Sequence, residues 1–148
     1  MNGAVAGDRV RNLLARTWAI EPTARLVAIQ IGTNDHHPNS PDADPFATAE
    51  AIARLAAEAQ SIAKDATIVL ISIPPTTGLG RHEKNQVTNQ LIEALAEGDR
   101  ILFVGGGAEF DPADPQHSSD GLHQTYAGAL AWYGPLAPVF REILEQGS

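Results

Sequence analysis

Three short segments rich in β-branched residues alternate with longer segments of helical periodicity, and this alternation constrains the fold more than any other feature of the chain. The β-rich segments are Arg25–Ile31, Thr67–Ser72 and Ile101–Val104. Each is followed by a loop and then by apolar residues spaced three and four positions apart, as on one face of an amphipathic helix. This rhythm is typical of a parallel sheet covered by helices. We therefore expect an α/β fold with three strands in this chain.

Four segments with helical periodicity flank the predicted strands. Asp8 is predicted to cap the first helix, and Asp44-Pro45 is typical of an N-cap followed by proline at the first helical position of the second. Gly134-Pro135 interrupts the last segment and predicts a kink or two short helices. The helices are expected at roughly residues 9–20, 45–64, 83–97 and 126–145. Packing roles are expected for four aromatic side chains on these patterns: Trp18, Tyr126, Trp132 and Tyr133.

A long polar loop, residues 32–44, follows the first predicted strand. Pro38 and Pro41 exclude regular structure there, so the loop is a candidate to overhang a site. His36 and His37 are adjacent, so their side chains point apart, and no carboxylate lies at a spacing that suits a metal site. We expect them on a solvated or pocket-lining loop.

A second long loop begins with three glycines at 105–107 and runs to His123. The glycines do not form a G-x-G-x-x-G motif, because Phe110 occupies its last position. We interpret them as a flexible turn and not as a phosphate-binding loop. A nucleotide-binding module is accordingly disfavoured, and no cofactor or metal is implied.

The acidic composition narrows the set of partners. The 148 residues carry a formal net charge of −8, and the 10 Lys and Arg are scattered along the chain. Binding to nucleic acid is therefore not expected. No apolar run approaches the roughly 18 residues of a membrane span. The absence of cysteine excludes a disulfide framework but fits any redox compartment, so localisation stays open. The length suits a single domain over residues 1–148.

Four residues near the expected carboxyl edge of the sheet have complementary chemistry. Asn34 follows the first strand, while Asp120 and His123 close the loop after the third, and Gly7 precedes a helix N-terminus. The carboxamide of Asn34 and the backbone N–H of Gly7 are two donors of the kind that an oxyanion hole requires. His123 suits a general base, and Asp120 suits the group that orients it. The missing role is the nucleophile.

Three blocks of the sequence resemble the SGNH (GDSL-type) ester hydrolases. They are NGAVAGDRVRNLLAR at residues 2–16, IGTND at 31–35 and DGLHQTYAG at 120–128. The resemblance implies a flavodoxin-like three-layer α/β/α fold and serine acyl transfer without a cofactor. It implies Gly7 and Asn34 as oxyanion donors and Asp120 and His123 as members of the catalytic triad.

The loop after the first strand also indicates a branch of that family. GTNDH at residues 32–36, followed by EKNQVTNQLI at 83–92, is most similar to the branch of the platelet-activating-factor acetylhydrolase catalytic subunits. This similarity implies short acyl esters as substrates. Three neighbours of Asn34 are expected to contact such a substrate: Gly32, Thr33 and Asp35.

The printed sequence departs from the family in its first block. That block, a G-D-S that supplies the nucleophilic serine, has no counterpart before Gly7, and no G-D-S occurs later. Ser118 or Ser119 could be imagined as a substitute, but a serine on the loop of the base itself would have to attack from the wrong side of the oxyanion donors. We therefore expect a chain without the family's first strand, helix and nucleophile, with little activity as given. The alternative is a non-catalytic binding or subunit protein that retains the pocket.

The missing strand has a consequence for association. In the family it pairs with the strand that corresponds to Arg25–Ile31 here. Its absence would leave unpaired backbone groups and apolar side chains at that edge of the sheet. We therefore expect a homo-oligomer formed through the uncovered edge, with a small-molecule ester as the other partner.

Overall fold

The computed structural model describes residues 5–37, 39–40, 43–78, 80–96 and 100–146. Three strands, β1 (Leu26–Ile29), β2 (Thr67–Ile71) and β3 (Ile101–Val104), form one parallel sheet in the order β1-β2-β3. The three predicted strands are therefore confirmed, with the first shorter at both ends. The predictions made for Pro38, Pro41 and the last residue of the third helix fall outside the described residues.

Within the described residues, five α-helices accompany the strands: α1 (Val10–Leu14), α2 (Pro45–Ile62), α3 (Arg81–Leu95), α4 (Tyr126–Tyr133) and α5 (Leu136–Gln146). The cap predicted at Asp44 is confirmed, since its side chain accepts a hydrogen bond from the backbone N–H of Phe46 at 3.1 Å. The predicted break at Gly134-Pro135 is also confirmed, because it separates α4 from α5.

The first helix is shorter than predicted, and its predicted cap is wrong. Helix α1 ends at Leu14 and is followed by a 3₁₀ turn at Thr17–Ala19. Arg9, not Asp8, is the N-cap residue. The carboxylate of Asp8 forms an ion pair with Arg16, so it does not turn back to the first helical N–H groups. The local pattern assigned this side chain to capping, but it pairs instead with a charged residue two positions beyond the end of α1.

Both faces of the sheet are covered, which confirms the three-layer α/β arrangement. Side chains alternate across a strand, so Ile68 and Leu70 of β2 face one side and Val69 and Ile71 face the other. Ile68 and Leu70 are buried in a cluster with residues of α2 and α3. Val69 and Ile71 are buried with residues of α5. Helices α2 and α3 therefore form one outer layer, and α5 contributes to the other.

The aromatic packing predictions are correct only in part. Trp132 is 7% exposed, as expected of a packing residue, whereas Trp18 is 79% and Tyr126 is 82% exposed. Tyr133, the fourth of these side chains, is also exposed, at 37%. The spacing of apolar residues shows which face of a helix is apolar, but not how much of that face the rest of the protein covers. These three side chains lie outside the covered area.

Candidate active site

Asp120 and His123 form the centre of the candidate site, on the loop that leads into α4. The Oδ2 of Asp120 lies 2.7 Å from the Nδ1 of His123. The Oδ1 of the same carboxylate accepts the backbone N–H groups of Leu122 at 2.9 Å and His123 at 2.7 Å. The loop reverses at Gly121, whose φ of +74° favours glycine. A D-G-x-H segment therefore builds this pair almost entirely from local contacts.

The carboxylate determines the chemical state of the imidazole that it contacts. Hydrogen bonds from the His123 ring, and then from the backbone N–H groups of His123 and Leu122, hold the pKa of Asp120 well below its usual range. An ionised carboxylate only accepts hydrogen bonds, so the Nδ1 of His123 carries the hydrogen. The Nε2 of neutral His123 is then a free acceptor, which is the state that a general base requires.

Asn34 and the segment before α1 are in direct contact. The Nδ2 of Asn34 donates a hydrogen bond to the backbone carbonyl of Asp8 at 3.0 Å. That bond uses one of the two amide hydrogens and leaves the second as a donor. Gly7, next to Asp8, has a φ of +80°, a conformation that favours glycine. The two predicted oxyanion donors therefore lie on neighbouring segments joined by this bond.

Asp35 has a structural partner that the sequence did not reveal. Both of its carboxylate oxygens lie 3.2 Å from the backbone N–H of Val10, the first residue of α1. The helix is thus capped by a residue 25 positions further along the chain. Burial raises the pKa of Asp35, and the bond from Val10 acts in the opposite direction. A substrate role for Asp35 stays a prediction, as it does for half-buried Thr33.

Gly32 is buried where the loop after β1 leaves the sheet. Its φ is +127°, and an added Cβ would lie 2.6 Å from the side chain of Ile73. Glycine is thus needed here for both conformation and space. This geometry explains the residue without any substrate, so its predicted contact with substrate stays a prediction.

His36 contradicts the interpretation of the His-His pair as a solvated or pocket-lining loop. Its side chain is 1% exposed. The Nδ1 lies 2.8 Å from the Oδ1 of Asn85, and the Nε2 lies 3.1 Å from the Oγ1 of Thr88. The Nδ2 of Asn85 in turn donates to the carbonyl of Pro74 at 3.0 Å. His36 therefore connects the loop after β1 to α3 and, through Asn85, to the loop after β2.

The loop after β2 is in turn connected to the Asp120–His123 loop. The backbone N–H of Thr77 donates to the carbonyl of Gly121 at 3.0 Å. A Cβ at Gly121 would lie 1.7 Å from the Oγ1 of Thr77, so the two loops are in close contact. The loops that follow β1 and β2 and the loop that carries His123 thus form a connected group at the carboxyl edge of the sheet. Sequence analysis missed the connecting residues, although the periodic positions of Asn85 and Thr88 in α3 were visible.

The burial of His36 predicts a pH-dependent stability. Burial lowers the pKa of His36, although the bond to Asn85 opposes this shift. The unfolded chain therefore binds a proton at this residue at a higher pH than the folded chain does. Stability rises with pH wherever the unfolded state binds more protons, so it should fall as the pH drops through about 6.5, the ordinary pKa of histidine.

Thermal unfolding of wild-type protein and of His36→Gln at pH 7.5 and pH 5.5 tests this expectation. The wild-type Tm should fall more between the two pH values than that of the variant. His37→Gln, at the neighbouring position, is the matched control and should keep the wild-type dependence. The pKa of Asp35 is shifted in the opposite direction, but Asp35 is present in all three proteins, so its contribution to the pH dependence cancels in the comparison. An equal pH dependence of Tm in wild type and His36→Gln would contradict the expectation that burial of His36 causes it.

The described part of the chain offers neither a metal site nor a membrane-spanning helix. No group of three or more His, Asp or Glu side chains there is arranged to hold a metal ion. None of the helices described combines the length and apolarity that a membrane-spanning segment needs.

Comparison with known proteins places this arrangement among ester hydrolases. The model of the GDSL-like lipase/acylhydrolase family matches residues 1–131. Among solved structures, the fold is similar to that of a point mutant of an acetyl-xylooligosaccharide esterase from Geobacillus Stearmophilus, with a TM-score of 0.72 and 25% identity. The match covers 97% of this chain and 71% of that one. No curated protein sequence matches the chain.

Proposed function

Because the chain belongs to the GDSL-like lipase/acylhydrolase family, we propose that it provides most of the active site of an esterase that cleaves short acyl esters by serine acyl transfer. The observation that carries the proposal is the 2.7 Å contact between Asp120 and the Nδ1 of His123, which leaves the Nε2 of His123 free to take a proton. An acetyl ester is the first candidate substrate, since the similar solved structure is an esterase of acetylated oligosaccharides.

Each remaining residue has a role in the proposed reaction. His123 removes the proton of the attacking serine and returns it to the departing alcohol, while Asp120 keeps the imidazole oriented. The second amide hydrogen of Asn34 and the backbone N–H of Gly7 stabilise the oxyanion that forms at the acyl carbon. The bond from Asn34 to the carbonyl of Asp8 supports this role, because it holds the carboxamide beside Gly7 before any substrate arrives.

The nucleophile is proposed to come from a segment other than the described residues. Among those residues, no hydroxyl is hydrogen-bonded to the Nε2 of His123. The Oγ of Ser118 donates to the carbonyl of His123 at 2.8 Å, and the Oγ of Ser72 accepts the N–H of Gly106 at 2.9 Å. Ser119 shares the loop of the base and would have to attack from behind it. A G-D-S segment, encoded in frame upstream of Met1 or carried by a partner chain, would complete the triad.

Hydrolysis of p-nitrophenyl acetate by wild-type protein and by His123→Ala tests the function. The 148 residues alone should show little turnover, and addition of a G-D-S segment should restore it. Substantial turnover by the 148 residues that disappears in His123→Ala would place the nucleophile within the chain, and Ser118→Ala and Ser119→Ala would then identify it. Tight binding of an ester without turnover, even with a G-D-S segment present, would favour the non-catalytic binding role.

We also propose that the chain self-associates through β1. Within the described residues this strand pairs only with β2. The carbonyl of Arg25 points towards β2, where it accepts the N–H of Thr67 at 3.0 Å. Because peptide groups alternate along a parallel strand, those of Leu26 and Ala28 point away from β2. Exposed apolar side chains on α4 and α5 add to the surface available for association: Tyr126, Leu130, Tyr133 and Leu144.

Sedimentation of the protein at tens of micromolar tests this association. We expect dimers or larger species for the wild type and a shift towards monomer for Ala28→Lys, because a charged side chain at an open edge opposes strand pairing. Ala57→Lys adds the same charge at an exposed position of α2 and is the control. A wild type that sediments as a monomer would contradict the proposal.

A further inference from the structure

A small cavity adjoins the Asp120–His123 pair. It has a volume of about 250 Å³ and lies between the loop after β2 and the loop of Asp120. Its walls are formed by Thr76, Gly78, Arg81, Asp120, Gly121 and Leu122. The carboxyl group that orients the general base is thus part of the wall. A group held in this cavity would lie beside the reacting part of a bound ester.

Arg81 is an unusual wall residue because part of its guanidinium group is buried without a hydrogen-bond partner in the described part of the chain. The residue is 5% exposed, and its Nε and Nη1 are inaccessible and have no hydrogen-bond partner among the described residues. The hydroxyl of Thr76, on the same cavity, is buried and without a partner in the same part of the chain. Buried charges in proteins are ordinarily paired, since leaving one unpaired is costly. Two residues that line the cavity therefore carry buried donors without an acceptor.

Asp120, the acidic residue that lines the cavity, does not fill that role. The carboxylate of Asp120 is engaged by the ring of His123 and by two backbone N–H groups. Arg81 also begins α3, a helix of 15 residues, so the positive end of the helix dipole reinforces its charge. The electrostatics of the cavity thus favour a negatively charged ligand, although the chain as a whole is acidic.

We propose that Arg81 and Thr76 bind a carboxylate carried by the ester substrate, so that the enzyme prefers esters with a second, charged carboxyl group. The planar guanidinium presents parallel N–H groups that match the two oxygens of a carboxylate, and the Thr76 hydroxyl adds one more donor. A phosphate dianion fits less well, because one cation faces it and the anionic Asp120 shares the wall. The preference for an ester rests on the proposed function, whereas the binding of a carboxylate does not.

Titration with succinate, followed by NMR chemical shifts, tests the binding directly. Succinamide is the neutral control ligand of the same shape. Wild-type protein should bind succinate and not succinamide, and Arg81→Gln should bind it about 10- to 100-fold more weakly, because a hydrogen bond to a charged group is lost. Arg81→Lys keeps the charge without the planar donors, so its affinity for succinate should lie between those of the wild type and Arg81→Gln. Arg54→Gln, on the exposed side of α2, should bind as wild type does.

Stability separates a binding role from a structural one. Arg81→Gln removes a buried charge, so without ligand its Tm should equal or exceed that of the wild type. Succinate should raise the Tm of the wild type more than that of Arg81→Gln. Thr76→Val provides a second variant, with weaker succinate binding, should Arg81→Gln fail to fold. Equal succinate binding by wild type, Arg81→Gln and Thr76→Val, or none by wild type, would overturn the proposal, as would a preference for inorganic phosphate. Succinate binding through Arg81 without any ester hydrolysis, even with a G-D-S segment present, would refute the esterase function alone.

Discussion

His123→Ala should lower kcat for p-nitrophenyl acetate by about 10⁶-fold in a protein that contains these 148 residues together with the G-D-S serine. The expectation rests on the proposed function, in which Asp120 engages Nδ1 and the Nε2 of His123 serves as the base for the serine. Without the imidazole the serine keeps its proton and attacks poorly. Initial rates of p-nitrophenolate release, with the uncatalysed rate subtracted, measure the effect.

Two variants on the same loop make this test specific. Asp120→Asn preserves the size of the side chain but no longer stabilises the productive tautomer of His123, so kcat should fall by about 10⁴-fold. Asp114→Asn is the matched control, since Asp114 bonds only its local loop, through the N–H of Gln116 at 2.8 Å. A loss of less than tenfold in His123→Ala would show that another group is the base. In the 148 residues alone, the rate should be low enough that His123→Ala changes it little.

Gly107→Ala should reduce the free energy of unfolding by about 1–3 kcal/mol or more, as overpacking of a close contact does. A Cβ at this position would lie 1.9 Å from the backbone oxygen of Ala131 in α4. The backbone N–H of Gly107 also donates to the carbonyl of Trp132 at 2.9 Å. The glycine run therefore cannot move away from α4 without breaking that bond. Urea denaturation, with the midpoint and slope both fitted, measures the loss.

Gly105→Ala is the control that the same glycine run offers. An added Cβ there has no atom within 4 Å, and its φ is not in the left-handed region, so the change should be neutral or stabilise by up to about 1 kcal/mol. Gly106→Ala should behave like Gly107→Ala, since its Cβ would lie 2.1 Å from the ring of Trp132. Similar stabilities for Gly105→Ala and Gly107→Ala would show that the run is a flexible turn, as the sequence pattern indicated.

The glycine run illustrates which part of the structure a pattern predicts. The sequence located its position at the end of β3, because the strand and the turn are both local features. It did not show that α4 packs directly against the run, since that contact joins Gly107 to residues 24 and 25 positions away. Arg81 was missed for a related reason. The third helix was expected to begin near residue 83, which left Arg81 on the preceding loop. A charged residue there is usually on the surface, and only the packed loops reveal that this one is buried.

By itself, the amino-acid sequence determined the order of strands and helices, the cap at Asp44, the break at Gly134-Pro135 and the pairing of Asp120 with His123. Each of these depends on residues within a few positions of one another, so hydrophobic spacing, capping and turn chemistry were sufficient. Only the tertiary structure decided that Asp35 caps α1, that His36 is buried against α3 and that Arg81 lines a cavity. These outcomes depend on which distant groups come together, and a buried polar group takes whichever partner the packing brings within hydrogen-bond distance.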